Sequence, residues 1–261
     1  LKKDVSLREK MKLKLMLLNI VLASILCVGC TSDVSDKMEV ETVIENEPSA
    51  PETSTSTLDS IKILSLGDSY TIGQNVCNTC RFPEQLKDSL RARIEDLKVE
   101  LKVIARTGWT TSSLKSAIAT DNPSNDYDLT TLLIGVNNQF QNRPFELFET
   151  EFPELVDTAA ALSNNKLENV IVVSIPDYAF TPFGGGRIAI SQGIDRYNGF
   201  IQNYCAQYSI TYINITDITR LGLVQPALVA NDGLHPSALA YSRFVERILP
   251  KALEKIGYTT D

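Results

Sequence analysis

The sequence predicts an α/β protein: a three-layer α/β/α sandwich built on a five-stranded parallel sheet. Three observations carry that expectation. Short strand-like runs at 61–66, 99–105, 129–134, 170–175 and 211–215 alternate with segments of helical spacing. The run at 129–134 is of buried type and that at 170–175 is the most apolar, as strands covered on both faces are. The first three runs each end in a distinctive turn, Gly67-Asp68-Ser69, Thr107-Gly108-Trp109 and Gly135-Val136-Asn137-Asn138. Alternating strands and helices imply βαβ units, and right-handed crossovers then place helices on both faces of the sheet.

Taken in order, the body opens with strand 61–66, which runs into Gly67-Asp68-Ser69 and a polar, helix-starting stretch. A serine just past a strand's carboxyl end sits where open α/β sheets place their chemistry, although Gly, Asp and Ser are also common turn residues. Residues 83–97 carry Leu86, Leu90, Ile94 and Leu97 at helical spacing. After strand 99–105, the run 110–113 supplies Thr and Ser N-caps for a helix at 114–119. The segment 145–162 is amphipathic, with Phe148, Phe152, Leu155, Val156 and Ala159 on one face. A long loop containing Gly184-Gly185-Gly186 leads to a helix at 188–208, and a last helix covers 238–256. The triple glycine lacks the Lys-Ser/Thr of a phosphate loop and is expected to form a flexible rim. No internal repeat and no second folded domain is predicted.

The segment before the body reads differently. Met11-Lys12-Leu13-Lys14 is a basic start, residues 15–28 are almost wholly apolar, and residues 1–10 carry mixed charge, so the signal is expected to begin at Met11. Such a run is too short for a comfortable membrane span and matches a targeting segment. It closes on Leu26-Cys27-Val28-Gly29-Cys30, which resembles a bacterial lipoprotein signal, with Cys27 standing where that pattern usually has Leu. The resemblance implies cleavage after residue 29, lipidation of Cys30 and an exported protein anchored to a membrane. An ordinary secretory signal cut nearby is the alternative. Residues 31–60 hold eight acidic residues against one lysine and few large apolar ones. They cannot bury enough surface to fold, so 31–57 is read as a solvated tether and 58–261 as the folded domain.

Charge narrows the partners. The chain carries a net −7, and residues 31 onward hold 19 basic against 30 acidic side chains, a net of −11. That balance disfavours nucleic acid and electrostatic docking onto an anionic membrane. Cys77-Asn78-Thr79-Cys80 has C-x-x-C spacing, but no second pair accompanies it and His235 is the chain's one histidine. A closed zinc site therefore lacks ligands, and a local disulfide in an oxidising compartment is preferred to a redox motif. Cys205, within a helical pattern, reads as a small buried apolar residue.

Near the C-terminus stands Asn231-Asp232-Gly233-Leu234-His235-Pro236. Asp-x-x-His puts a carboxylate within reach of one imidazole nitrogen and leaves the other free to take a proton, as a general base requires. Together with the three strand-end turns, in this order, this block closely resembles the SGNH (GDSL-type) family of serine ester hydrolases. The resemblance covers the body from about residue 61 onward. It implies a flavodoxin-like sandwich, Ser69 as nucleophile, Asp232 and His235 as its partners, and Ser69, Gly108 and Asn137 as oxyanion donors. Where the family has G-x-N-D, this chain has Gly135-Val136-Asn137-Asn138, so Asn138 is expected to change local bonding and not activity.

The chemistry is self-consistent: a serine hydroxyl needs a base to become nucleophilic, and the tetrahedral oxyanion needs prepositioned donors. It calls for no metal and no cofactor. Trp109, Asn138 and Tyr178 are candidate rim residues, and Trp109, Phe140, Tyr178 and Phe180 all follow strand ends, where they serve either substrate or core. Asp177-Tyr178 fits a cleft wall or an ordinary turn. The expected substrate is a small-molecule or glycan ester with a short acyl group, glycan O-deacetylation foremost. Longer-chain lysophospholipase or thioesterase activity, acyl transfer at the same site, and a non-catalytic glycan-binding surface protein are the alternatives.

Overall fold

The computed structural model describes residues 58–258. The signal segment, Cys30 and the tether lie outside them, as do residues 259–261. The chain forms β1 (Ser60–Gly67), α1 (Ser69–Ile72), α2 (Phe82–Arg93), β2 (Lys98–Ala105), α3 (Thr111–Asp121), β3 (Leu129–Leu133), α4 (Val136–Phe140), α5 (Phe145–Leu162), β4 (Val170–Val173), α6 (Ile188–Gln207), β5 (Thr211–Ile213), α7 (Thr216–Thr219) and α8 (Ala238–Lys255).

All five strands are parallel, in the order β2-β1-β3-β4-β5. This is the doubly wound flavodoxin-like order, whose direction reverses between β1 and β3. Every residue of β3 and β4 is buried, because both faces of the central sheet are covered. Helices α2 and α8 pack on each other on one side, while α3 packs on α5 on the other. The amphipathic face of α5 continues onto α6 through aromatic contacts, Phe148 to Tyr197 at 4.6 Å between ring centres and Phe152 to Tyr204 at 5.8 Å. No helix among the described residues is long and apolar enough to cross a membrane.

The sequence reading and the structure differ mainly at element ends. The helix expected over 83–97 stops at Arg93, because Ile94 turns extended and Asp96 takes a φ of +57°. Ile94 and Leu97 are still buried, now as loop residues closing the bottom of the core. The strand expected to reach residue 175 ends at Val173, since side chains take over the backbone groups there. Asn198 of α6 accepts from the Ile175 N–H at 2.9 Å and donates to the Ile175 carbonyl at 3.0 Å. Ser174 Oγ accepts the Ile215 N–H at 2.8 Å, which ends β5 in the same way.

The 184–186 loop is a hydrogen-bonded turn rather than a loose rim: the Gly185 N–H donates to the Thr181 carbonyl and the Gly186 N–H to that of Ala179, both at 2.8 Å.

Among the described residues three buried side-chain atoms lack a hydrogen-bond partner: Thr71 Oγ1, Arg81 Nε and the Tyr241 hydroxyl. The last lies on the buried face of α8. Burial drives its pKa far above the usual phenol range, with the nearby Asp68 and Asp232 charges adding to the shift. A buried hydroxyl left without a partner costs roughly 1–3 kcal/mol. Tyr241→Phe should therefore be neutral or stabilising by up to about 1 kcal/mol in urea unfolding; a loss of more than about 1 kcal/mol would mean that the hydroxyl is bonded after all.

Candidate active site

The site is assembled where the sheet order reverses. Gly67, Ala105 and Leu133 are register partners at the carboxyl ends of β1, β2 and β3. Ser69, Gly108 and Asn137 follow them by only a few residues, so the three turns meet on one sheet edge. Gly67 must lack a side chain: a Cβ there would lie 2.1 Å from Thr71 Oγ1 and 2.4 Å from the Leu133 carbonyl oxygen. Gly108 has a φ of +82°, a backbone state that a side chain would strain.

Ser69 is the first residue of α1, so its N–H has no intrahelical partner. Asp68 caps that helix, its Oδ1 accepting the Tyr70 N–H at 3.0 Å. The other oxygen, Oδ2, accepts from Asn137 Nδ2 at 3.3 Å. Asp68 is wholly buried, and burial pushes its carboxyl up to about 7 despite those two hydrogen bonds.

The histidine loop is held as tightly. The Ala230 N–H donates to the His235 carbonyl at 2.7 Å, and the Gly233 N–H to that of Ala230 at 3.0 Å. Asp232 Oδ1 accepts the N–H groups of Leu234 and His235, both at 3.0 Å. Its Oδ2 lies 2.6 Å from His235 Nδ1 and also accepts the Asn75 side-chain amide. Partial burial opposes ionisation of Asp232, but the His235 ring and the two backbone N–H groups outweigh it and hold the carboxyl at about 2. The imidazole is thereby fixed through Nδ1, leaving Nε2 uncommitted. The Tyr70 ring packs against it at 5.2 Å between centres.

Ser69, Gly108, Asn137 and His235 line one half-open cavity of about 210 Å³, walled also by Tyr70, Val136, Phe140, Tyr178 and Leu234. Helix α4 contributes much of that wall. Helical residues step about 100° apart, so consecutive side chains reach different neighbours. Asn137 faces Asp68, and Gln139 Oε1 accepts the Tyr178 hydroxyl at 2.9 Å. Gln141, just past the helix, donates to the Gly108 carbonyl at 2.9 Å. Thr107, one residue before Gly108, donates through Oγ1 to Gln74 Oε1 at 2.5 Å.

Two expected rim residues do not belong to the rim. Asn138 is fully buried, turned one helical step from Asn137 toward α3. Its Oδ1 accepts the Thr111 N–H at 3.0 Å, and its Nδ2 donates to Thr111 Oγ1 at 2.7 Å. Trp109 is half-buried in a separate groove with Val103, Ala105 and Ser113, because β2 is the sheet's edge strand and the chain turns outward into α3 there. Tyr178 does line the cavity. Asp177 instead is buried behind it, accepting from Ser191 Oγ at 2.6 Å and Arg220 Nε at 2.9 Å.

Sequence reasoning missed Asn75, Gln74, Gln139 and Gln141. Asn75, two residues after Gly73, carried a turn signal in its residue type, and it takes a φ of +63° there. The glutamines carried none.

Cys77 and Cys80 are paired, with Cα atoms 5.0 Å apart, in the loop that follows α1. Cys205 is a free buried thiol that burial pushes up to about 12, which leaves it inert at neutral pH. Among the described residues, no group of three or more His, Cys, Asp or Glu side chains is arranged to hold a metal ion.

Two predictions follow from the buried carboxyls. Asp68 binds more protons folded than unfolded between its unfolded pKa near 4 and its folded value of about 7, so its contribution to stability falls as pH rises through that window. The stability of wild type relative to Asp68→Asn should decline from about pH 4 to about pH 7 and then level off. A flat difference, measured by urea unfolding at each pH, would refute a raised pKa. The second concerns Asn138. Thr111 Oγ1 donates its single proton to Glu151 Oε2 at 2.5 Å, so whatever stands at 138 must donate to Thr111. Asparagine does so, whereas aspartate would set two carboxylates on one hydroxyl proton. Asn138→Asp, which restores the G-x-N-D spelling, should thus destabilise by about 1–3 kcal/mol at neutral pH, and adding Glu151→Gln should recover at least half. Additive losses in that double-mutant cycle would refute the coupling.

The geometry agrees with comparisons to known proteins. Residues 65–243 match the GDSL-like lipase/acylhydrolase family. Among solved structures, a member of the lipolytic G-D-S-L family from Veillonella parvula superposes with a TM-score of 0.57 at 18% identity, over 74% of this chain and 96% of that one. Axe2, an acetylxylan esterase from Geobacillus stearothermophilus, gives 0.56 at 17% identity over 78% and 97%. The psychrotrophic esterase EstA from Pseudoalteromonas gives 0.53 at 18% over 75% and 98%. At these identities the structural likenesses establish the fold. No protein of curated function matches the chain in sequence. With its motif blocks gathered on one sheet edge and most of the chain matched by the family's pattern, the chain belongs to the GDSL-like lipase/acylhydrolase family and is a carboxylic ester hydrolase.

Proposed function

We propose that Ser69, His235 and Asp232 are the catalytic triad of an esterase acting on short acyl groups, with removal of O-acetyl groups from glycans as its role. The observation that carries this reading is the 2.6 Å contact between Asp232 Oδ2 and His235 Nδ1, which leaves Nε2 free beside a cavity that also holds Ser69. In the forward step the Ser69 hydroxyl proton passes to Nε2 as Oγ bonds to the ester carbonyl carbon. The oxyanion so formed is received by the Ser69 and Gly108 N–H groups and the Asn137 amide. Collapse breaks the carbon–alkoxy bond, and the leaving alcohol takes the proton from Nε2. Water then repeats the cycle on the acyl-enzyme, and release of the acid restores Ser69. Asp232, ionised throughout, orients the ring and stabilises the imidazolium.

Cavity size supports the short acyl group. About 210 Å³ is below the roughly 300–1,000 Å³ that encloses a drug-sized ligand. Each methylene contributes about 0.8 kcal/mol only where it is buried, so a long chain running into solvent gains little. A fold neighbour named as an acetylxylan esterase supports the glycan role by analogy alone. Export and a lipid anchor at Cys30 complete the proposal, since the Cys77–Cys80 pairing suits an oxidising compartment.

Alanine at Ser69 or His235 should lower kcat by roughly 10³–10⁶, and at Asn137 by about 10²–10³, on a small activated ester. Near-wild-type turnover in Ser69→Ala or His235→Ala would overturn the triad. Comparing acetyl and decanoyl esters of one alcohol tests the acyl preference: kcat/KM about tenfold or more higher for decanoyl would reverse it.

A further inference from the structure

Of the eight large hydrophobic side chains that are exposed among the described residues, Phe140 and Phe183 stand together at the cavity mouth. Phe140 is 50% exposed and Phe183 47%, with ring centres 6.1 Å apart and planes inclined at 52°. Each ring also contacts that of Tyr178, at 5.8 Å and 6.3 Å. Phe140 and Tyr178 line the catalytic cavity, so the pair continues it outward. The loop carrying Phe183 adjoins the segment of Leu223 and Val224, which are 43% and 75% exposed: a Cβ at Gly186 would lie 3.8 Å from Leu223 Cδ1. The polar groups nearby are partly engaged. Arg187 donates to the Gly184 and Phe183 carbonyls at 2.8 and 3.1 Å, and the Tyr178 hydroxyl is held by Gln139. What remains exposed beside the reaction cavity is chiefly the apolar ledge of the two rings.

Its position relative to His235 says which part of a substrate meets it. The Phe183 N–H donates to the Gly233 carbonyl at 2.9 Å, and Pro182 packs under Gly233, tying this ledge to the loop that presents His235. The leaving oxygen must take its proton from the imidazole, so the alcohol portion departs on the histidine side. We propose that Phe140 and Phe183 form an alcohol-side subsite that grips a ring-shaped alcohol by an apolar face, as the C–H face of a pyranose provides. This rests on the esterase reading above and adds the chemistry of its leaving group. Two half-exposed rings in contact with each other form a ledge that matches the face of a ring-sized group better than a thin flexible chain, and such a ledge selects mainly by shape and apolarity.

The test compares kcat/KM for cyclohexylmethyl acetate and ethyl acetate, whose alcohols differ mainly in the ring, in wild type, Phe183→Ala, Phe140→Ala and Phe183→Leu. The expected result is a fall of about tenfold in the cyclohexylmethyl-to-ethyl ratio in each alanine variant and partial recovery with leucine. Tyr208→Ala, at an exposed ring between α6 and the amino end of β5, the sheet end opposite the site, should leave both rates as they are. An unchanged ratio would overturn the subsite. A selective loss on ethyl decanoate, with the cyclohexylmethyl ratio intact, would assign the ledge to the acyl side and overturn it equally. If wild type hydrolyses neither acetate, the esterase reading fails. The subsite is then judged by NMR titration with cyclohexylmethanol, where equal binding by wild type and Phe183→Ala rejects it.

Discussion

A buried carboxyl with nowhere to leave holds this site together. Asp68 sits at zero exposure between the first strand and the first helix, with one oxygen on the Tyr70 N–H and the other on the Asn137 amide. The first bond starts α1 and so fixes the Ser69 backbone. The second draws the end of β3 against the end of β1. That approach is open only because Gly67 lacks a Cβ and its neighbours Thr71 and Leu133 close over it. Burying a carboxyl without a cation beside it is unfavourable, and the pKa of about 7 reflects this. The stabilisation comes from elsewhere, chiefly the fully buried strands β3 and β4 and the aromatic packing between α5 and α6. The site thus carries a local strain in charge that the core sustains.

Helix α4 distributes that constraint. It is little more than one turn long, yet Asn137, Asn138 and Gln139, with Gln141 just beyond, bond in turn to β1's end, α3, the Tyr178 turn and Gly108. So short a helix has only Val136 and Phe140 as apolar side chains to pack. Polar side chains radiating at 100° steps supply the other anchors, each satisfied by a different element. Asn138 shows how specific the arrangement is. The charge that an aspartate would carry at that position is held instead by Glu151, through Thr111, and asparagine supplies the complementary donor and acceptor.

This division also explains what could be read from sequence. Strands were legible because apolar-rich runs end at turns between helical segments, β4 as a continuous apolar run and edge strand β2 as an alternating one. Helix α5 was legible because Phe148, Phe152, Leu155, Val156 and Ala159 keep one face through Pro153. The face's burial outweighs the single lost backbone bond, so the period survived a residue that usually breaks it. The motif blocks were legible because each sits at a strand end. Asn75, Gln139 and Gln141 were not, since a polar side chain that satisfies a partner far along the chain has no period of its own. Trp109 and Asn138 were misplaced for a related reason: adjacency to a strand end says that a residue is near the edge, not which way the backbone turns it. In Trp109 the edge strand β2 decides, and in Asn138 one helical step.

The two carboxyls at the site are pushed in opposite directions, and under the proposed chemistry each direction serves its place. Asp232, held at about 2, remains charged well below neutral pH, and its charge lies against Nδ1, where the imidazolium would form. Asp68, raised to about 7, lies on the far side of Asn137, whose amide must turn toward developing negative charge. A full charge on Asp68 would oppose that oxyanion across one side chain, in a setting where screening is weak. A carboxyl that keeps its proton into the neutral range can hold Asn137 in position with less of that opposition. Separated pKa values of this kind mark distinct roles for chemically identical groups. Here the separation arises from a difference in environment: Asp232 has two backbone N–H groups and an imidazole at the surface, while Asp68 has only one N–H and one amide in the core.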